Sequence, residues 1–310
     1  MKKKIALIFA GQGAQHVGMG KDLAENSPVA GSLFEQADTF LKNGFKDICF
    51  SGPEEKLTDT SYCQPALYVH GLALFEILKS KLPDFSFQYA AGLSLGEFTA
   101  HAAAGKLSFA EGLDLVATRG RLMQEACEAT DGGMVTLLGA DEEQAREVSQ
   151  KSGLEMANLN CPGQIVLSGS KELIPKAVEV GNELGLKRVI PLKVTGAYHS
   201  SLMNTARDGL EKKLQQIKIE DNAIPVYANI SGTPQKGEEA IKDSLVKQVT
   251  GSVLWEKCIR NMMADGVEEF IELGPGKVLA GLCKRIGTSS PCLSAGTYED
   301  LEGVIDELKR

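Results

Sequence analysis

Residues 89–97 read Tyr-Ala-Ala-Gly-Leu-Ser-Leu-Gly-Glu, and this stretch decides how the chain is expected to fold. A strand-like run over 85–91 leads into it, and a helix of small residues follows it. Gly92, Ser94 and Gly96 match G-x-S-x-G, a sharp strand-to-helix turn in which glycines avoid crowding and the serine hydroxyl stands exposed at the tip. The pattern predicts a nucleophile at Ser94; a plain glycine and serine turn is the alternative.

Strand-like and helical patterns alternate outward from this turn. Upstream lie a strand over 5–10 and helices over 28–41 and 65–82, with Pro28 and Pro65 placed where proline suits a first helical turn. Downstream, the predicted elements are a helix over 200–217, a strand over 225–228, a helix over 253–264 and a strand over 268–273. Such alternation favours an α/β fold with a mostly parallel sheet.

The order of elements changes between residues 131 and 195. The predicted strands and helices here are a strand over 133–138, a helix over 141–152, strands over 155–159 and 164–168, a helix over 171–184 and a strand over 187–194. This βαββαβ order is the ferredoxin-like unit. We therefore expect a large α/β-hydrolase-like domain, formed by residues 1–130 and 196–310, with an inserted ferredoxin-like subdomain over residues 131–195.

Composition excludes several classes of protein. Of 310 residues, 43% are hydrophobic and 24% charged, as in globular proteins and unlike fibrous or membrane-embedded ones. The net charge of -8 argues against nucleic-acid binding, because contact with phosphates needs a basic surface. The apolar run near the N-terminus is too short for a membrane span, and no cleavage site follows it. We expect a cytoplasmic protein with neither nucleic acid nor membrane as partner.

The seven cysteines form an odd set without a CxxC pair, and none of the four histidines stands at metal-ligand spacing. Neither a disulfide framework nor a metal site is indicated by this pattern. We therefore expect inert thiols and no metal.

A serine needs a base, and four histidines compete for that role. His101 lies two turns along the helix that follows Ser94, roughly 10 Å away, which is too far. His70 lies among apolar residues, as core histidines do. His16, in a glycine-rich loop, stays an alternative. His199 follows a predicted strand and lies downstream of Ser94, so it is the best candidate.

An orienting carboxylate is missing from the predicted strand ends. Asp141 and Glu172 precede His199, and Asp208 and Asp221 follow it, but none is placed convincingly. A serine–histidine dyad can suffice when a backbone carbonyl holds the imidazole.

Arg119 stands on the apolar side of its predicted helix over 108–128. At 3.6 residues per turn it falls in the middle of the apolar arc, whereas Arg121 falls on the polar face. An inward guanidinium needs either a protein carboxylate or an anionic ligand, and both interpretations stay open here. If Arg119 shares a cleft with Ser94, the substrate is an acyl group that carries a second carboxylate.

Several motifs occur together along the chain: Phe-Ala-Gly-Gln-Gly-Ala-Gln at 9–15, Gln-Pro-Ala-Leu at 64–67, the serine turn at 92–97, Arg119, Asn-Leu-Asn-Cys-Pro-Gly-Gln at 158–164, Gly-Ala-Tyr-His-Ser at 196–200 and the segment 272–279. In this order, with the βαββαβ unit between them, they resemble the malonyl-CoA:acyl-carrier-protein transacylases. The resemblance spans nearly the whole chain.

This resemblance implies that Ser94 is the nucleophile, His199 the base and Arg119 the clamp on a malonyl carboxylate. The further roles that it implies are the oxyanion amides at Gln12 and Leu95, a site lined by Gln64 and Asn160, and a backbone carbonyl at Gln248 that orients the histidine. It also implies malonyl transfer from malonyl-CoA to the phosphopantetheine thiol of acyl carrier protein, for fatty acid synthesis. We expect a monomer without a bound cofactor. Candidates for a basic docking patch are Lys187, Arg188, Lys193, Lys284 and Arg285.

Three positions depart from the family pattern. Leu93 stands where many members have histidine, Ala10 where proline is usual, and Tyr198 where phenylalanine is usual. Tyr198 adds a hydroxyl near the pocket that in relatives helps exclude branched acyl groups. A serine hydrolase such as a thioesterase, and a non-catalytic carrier-protein-binding module, are the two rival functions.

Overall fold

Nine strands in the described residues 3–42, 44–220 and 224–310 of the computed structural model build two sheets. The strands are β1 (Ile5–Phe9), β2 (Tyr89–Gly92), β3 (Gly132–Leu138), β4 (Glu155–Cys161), β5 (Gln164–Ser170), β6 (Arg188–Pro191), β7 (Val226–Tyr227), β8 (Glu269–Leu273) and β9 (Leu293–Ala295). One sheet has the order β7-β2-β1-β8-β9, and the other has the order β4-β5-β3-β6.

Helices surround the two sheets. They are α1 (Lys21–Asn26), α2 (Pro28–Leu41), α3 (Phe45–Ser51), α4 (Glu54–Thr58), α5 (Thr60–Lys81), α6 (Leu95–Ala103), α7 (Phe109–Glu128), α8 (Glu142–Ser152), α9 (Ile174–Glu183), α10 (Asn204–Leu214), α11 (Glu238–Gln248), α12 (Trp255–Ala264), α13 (Val278–Ile286) and α14 (Tyr298–Leu308). Short 3-10 turns lead into α9 and α10. Within the described ranges, none of these helices has the length and apolar character needed to cross a bilayer.

The five-stranded sheet is parallel throughout and has β1 at its centre. Four of the five residues of β1 are buried, as expected for a strand with a neighbour on each side and helices on both faces. The register pairs Phe9 with Gly92 on one side and with Leu273 on the other. The carboxyl ends of three strands therefore meet at one edge, which is where open parallel sheets place their sites.

The four-stranded sheet is antiparallel, and its strand order is that of the ferredoxin-like unit. This confirms the predicted fold class, an α/β structure with a parallel sheet and an inserted smaller unit. The boundaries proposed for that unit, residues 131 and 195, stay a prediction. Its strand β4 is tied to the larger part of the chain, because Leu159 N donates to Val253 O at 2.9 Å and Val253 N donates to Ala157 O at 2.8 Å.

The helix predicted over 65–82 begins at Thr60 instead, so the predicted start was wrong and Pro65 lies inside the helix. The Asp59 carbonyl accepts from the amides of Tyr62 and Cys63, which begins the helix one turn earlier. Pro65 removes only one amide donor near this end.

Three elements near the C-terminus were missed: α11, β9 and α14. In α11 the buried residues are Ile241, Ser244, Leu245 and Gln248, so two of its four core positions are polar. A hydrophobic periodicity cannot identify such a helix.

The packing of α6 against β1 generates a stability prediction. A Cβ on Gly96 would lie 2.2 Å from Phe9 O, whereas a Cβ on Gly281 of α13 would meet no atom within 4 Å. We expect Gly96→Ala to lower the free energy of unfolding by about 2 kcal/mol or more, because backbone must shift. Gly281→Ala is the matched control and should stabilise by about 0.5–1 kcal/mol. Urea unfolding measures both, and equal effects would contradict the packing described.

Candidate active site

Ser94 occupies a strained turn between β2 and α6. Its backbone φ of 53° and ψ of -101° are values that residues other than glycine rarely adopt. Two glycines make the turn possible, because a Cβ on Gly92 would lie 1.9 Å from Gly96 C and a Cβ on Gly96 would strike β1. The turn therefore holds the Ser94 side chain at the carboxyl edge of the parallel sheet.

His199 lies beside this serine. Its Nε2 is 2.8 Å from Ser94 Oγ, and its Nδ1 is 2.8 Å from the backbone carbonyl of Gln248. A carbonyl can only accept, so Nδ1 carries the proton and Nε2 is left to accept the serine proton. The carbonyl thus orients the ring as a carboxylate would in a triad.

The other candidates for base and orienting acid lie elsewhere. His16 is exposed, with Nδ1 3.1 Å from Val17 O, whereas His70 and His101 are buried. Asp208 is paired with Arg207 on the surface. Asp221 lies outside the described residues.

Burial, and next the positive charge of Arg119, lower the pKa of His199 from 6.5 to about 4. The imidazole is therefore neutral at pH 7 and can accept a proton.

Arg119 lies in α7, a helix whose N-terminus is fixed by a capping box between Ser108 and Glu111. The Arg119 side chain is 1% exposed. Its Nη1 donates to Gln64 Oε1 at 2.7 Å, and its Nη2 donates to Ser94 Oγ and to Gln248 Oε1, both at 3.0 Å. Burial lowers its pKa to about 10, so the guanidinium stays charged at pH 7. These hydrogen-bond partners are neutral, so the guanidinium can form a direct ion pair with an anionic ligand.

Two residues of the site were missed by the sequence interpretation, Glu97 and Asn229. Asn229 Oδ1 accepts from Ser94 N at 2.7 Å, and its Nδ2 donates to Gly92 O at 2.8 Å. The buried Glu97 carboxylate accepts from Asn229 N at 2.9 Å through Oε2. Asn229 directly follows the predicted strand over 225–228, and that position at a strand end was the available signal.

A cleft of 340 Å³ opens in front of Ser94 and His199. It is lined by residues of the antiparallel sheet and of loops and helices around the parallel sheet, among them Gln12, Leu93, Met123, Met134, Asn158, Asn160, Leu192, Lys193, Val194, Tyr198 and Val278. Asn160 is buried, and among the described residues its Oδ1 has no hydrogen-bond partner. A ligand in the cleft can supply that partner.

The predicted oxyanion donors flank the serine. Leu95 opens α6, where the first amides of a helix have no acceptor within it. The loop of Gln12 packs on the serine turn so closely that a Cβ on Gly11 would lie 2.4 Å from Leu93 O. The Gln12 side chain donates to Tyr198 OH at 3.3 Å. The catalytic roles of the site residues stay predictions.

Comparison with known proteins gives the family. Residues 6–303 match the family described as acyl transferase domain. A malonyl CoA-acyl carrier protein transacylase from Bacillus subtilis (strain 168) is 41% identical, over 99% of this chain and 98% of its own length. The chain belongs to the malonyl-CoA:acyl-carrier-protein transacylase family. The resemblance inferred from the sequence motifs is confirmed.

Solved structures of transacylases agree with this assignment. The acyl-carrier-protein-S-malonyltransferase from Bartonella henselae has a TM-score of 0.94 and 36% identity, covering 99% of this chain and 100% of its own. A type II PKS acyl-carrier protein in complex with its malonyl-transacylase gives a TM-score of 0.93 at 34% identity, covering 98% of this chain and 99% of that chain. The α/β-hydrolase-like architecture with its inserted subdomain is thus shared with solved transacylases.

The depressed pKa of His199 predicts how Ser94 responds to pH. We expect the rate at which a fluorophosphonate labels Ser94 to stay nearly constant between about pH 7 and pH 5, because the imidazole remains neutral there. If His199 had the unperturbed histidine pKa of about 6.5, its protonation would slow the labelling roughly 25-fold over the same interval. Rates measured by mass spectrometry, with Ser94→Ala as the unlabelled control and circular dichroism to verify folding, distinguish the two outcomes.

Proposed function

We propose that this chain transfers the malonyl group of malonyl-CoA to the phosphopantetheine thiol of an acyl carrier protein, and so supplies malonyl units for fatty acid synthesis. The observation that carries the proposal is the position of Ser94 Oγ, 2.8 Å from the His199 imidazole and 3.0 Å from the Arg119 guanidinium. In this proposal Ser94 is the nucleophile, His199 is the base and Arg119 is the clamp on the malonyl carboxylate.

In the first half-reaction His199 Nε2 takes the hydroxyl proton as Ser94 Oγ attacks the thioester carbonyl. The amides of Leu95 and Gln12 stabilise the oxyanion that forms. The carbon–sulfur bond then breaks, and the coenzyme A thiolate leaves with the proton that His199 holds. The product is a malonyl ester on Ser94.

The second half-reaction reverses these roles. His199 takes a proton from the carrier's phosphopantetheine thiol, whose sulfur attacks the ester carbonyl. The ester bond breaks, and Ser94 Oγ recovers the proton from His199. Serine and histidine are regenerated, so the enzyme needs no resident cofactor and the coenzyme A thioester is a substrate. We also expect a cytoplasmic monomer.

Arg119 selects the acyl group. In a malonyl ester one methylene separates the ester carbonyl from the free carboxylate, so the carboxylate stays near the guanidinium that contacts Ser94 Oγ. Arg119 Nε is buried and has no partner among the described residues, which leaves a donor for that carboxylate. A charge-assisted, forked contact favours malonyl over acetyl groups.

Basic side chains near β6 and on α13 are suited to an acidic carrier protein. Lys187, Arg188 and Arg285 line one shallow depression, and Lys193 lines the cleft itself. Exposed Leu192, Val194 and Val278 line the same cleft. Apolar side chains flanked by cations favour docking of an acidic domain that presents its prosthetic arm to Ser94.

The clamp predicts how Arg119→Ala changes selectivity. We expect kcat/KM for malonyl-CoA to fall on the order of 100-fold, because contacts to a carboxylate are lost, while that for acetyl-CoA falls much less. Arg121→Ala is the matched control, since Arg121 lies in the same helix but is exposed and paired with Glu125. Equal losses on both thioesters would count against the clamp.

Product analysis separates transfer from hydrolysis. With malonyl-CoA and the holo carrier protein, we expect malonyl-carrier as the main product, detected by mass spectrometry. Release of free malonate at the same rate with or without the carrier would favour the thioesterase function instead.

The docking surface predicts an effect confined to the carrier. We expect Arg188→Glu to raise the KM for carrier protein several-fold and to weaken its salt dependence, while acylation of Ser94 by malonyl-CoA is unchanged. The control is Lys79→Glu, because Lys79 lies near the C-terminal end of α5, away from Gln64 and the cleft. Steady-state kinetics at two salt concentrations measure the effect; an unchanged carrier KM would remove Arg188 from the docking surface.

A further inference from the structure

Glu97 is a buried acid that the proposed mechanism does not use. Its side chain is fully buried in the first turn of α6, three residues after the nucleophile. Oε2 accepts from Asn229 N at 2.9 Å and from Gln248 Nε2 at 2.7 Å, whereas Oε1 has no partner among the described residues. Burying a carboxylate with one unpaired oxygen costs free energy when the group is charged, so its presence calls for a physical explanation.

Gln248 connects this carboxylate to Arg119. Its Oε1 accepts from Arg119 Nη2 at 3.0 Å, and its Nε2 donates to Glu97 Oε2 at 2.7 Å. The same Nε2 donates to Ser94 O at 2.9 Å. A single side-chain amide therefore stands between the guanidinium and the acid, next to the nucleophile. Glu97 and Arg119 attract each other in a medium that screens charge poorly.

Other titratable groups face this pair from the neighbouring elements. His199 lies on the Arg119 side and is neutral at pH 7. Cys258 of α12 faces Glu97, and burial raises the pKa of its thiol, so it is neutral as well. Tyr198 faces Arg119, and burial raises the pKa of its phenol. Among these groups, Glu97 is the one acid that can balance Arg119 in the empty site.

We propose that Glu97 is a positioning residue that balances the charge of Arg119 in the empty enzyme and takes up a proton when a malonyl carboxylate binds Arg119. This inference rests on the proposed function. Once the substrate carboxylate pairs with the guanidinium, an ionised Glu97 would be a second, uncompensated negative charge in the same buried site. Protonation of Glu97 removes that charge and leaves its contacts with Asn229 and Gln248 in place.

The pH range follows from the same environment. Burial raises the pKa of Glu97 to about 7 in the empty site, against the opposing effects of Asn229, Gln248 and Arg119. Above this pH Glu97 is ionised before the substrate binds, so binding takes up a proton. At about pH 6 it is already protonated, and little uptake is expected.

Acylation itself allows a direct test. Attack of Ser94 on malonyl-CoA releases coenzyme A as a thiol near pH 7.5, so the chemistry consumes and releases no net proton. We would mix the wild-type protein with malonyl-CoA in weakly buffered solution containing a pH indicator, and measure the adduct by intact mass. Glu97→Gln is the matched variant, because its amide oxygen can keep both contacts of Oε2. Acetyl-CoA is the matched ligand, because it lacks the second carboxylate.

Acylation of Glu97→Gln corrects for the fraction of released thiol that ionises at each pH. Relative to that variant, we expect uptake approaching one proton per malonyl adduct at about pH 8, much less at about pH 6, and no excess uptake with acetyl-CoA. A malonyl adduct formed without proton uptake would overturn the role of Glu97 and leave the proposed function standing. Equal uptake by wild type and Glu97→Gln would assign the proton to another group and also overturn it. Absence of any adduct would overturn the proposed function, and this inference with it.

Discussion

A charged guanidinium buried beside Ser94 is the constraint on which the rest of the site depends. Arg119 is 1% exposed and lies 3.0 Å from Ser94 Oγ. Such a charge is tolerated only where every neighbour is arranged for it. Gln64 and Gln248 accept hydrogen bonds from the guanidinium, and the same charge helps keep His199 neutral. The proposed clamp on an anionic acyl group and the proposed proton-accepting imidazole therefore depend on the same buried charge.

The fold supplies this arrangement through the aligned ends of its parallel strands. β1, β2 and β8 end together, so the loop of Gln12 and the turn at Ser94 meet at one edge. The antiparallel sheet closes the opposite side of the cleft with Asn158 and Asn160. Helix α11 contributes Gln248. The Gln248 carbonyl contacts His199, and its side chain contacts Arg119 and Glu97. The cleft thus depends on segments far apart in the chain.

Local patterns predicted the parts of the molecule that local physics determines. The glycines around Ser94 predicted a turn, helical periodicity placed Arg119 on an inward face, and the order of elements predicted the ferredoxin-like sheet. Contacts between distant residues left no such trace. The link from Gln248 to Glu97 spans 151 positions, and α11 buries Ser244 and Gln248 where a hydrophobic pattern requires apolar residues. The predicted start of α5 was wrong because the first hydrogen bonds of the helix are accepted by the Asp59 carbonyl, upstream of Pro65.

The most direct test of the convergence of serine, imidazole and guanidinium is a crystal structure of the malonyl ester on Ser94. Our account predicts that both oxygens of the free carboxylate contact the Arg119 guanidinium, with the ester carbonyl oxygen directed at the Leu95 and Gln12 amides. A malonyl carboxylate that extends into solvent, with Arg119 still bound only to Gln64, Gln248 and Ser94, would contradict it.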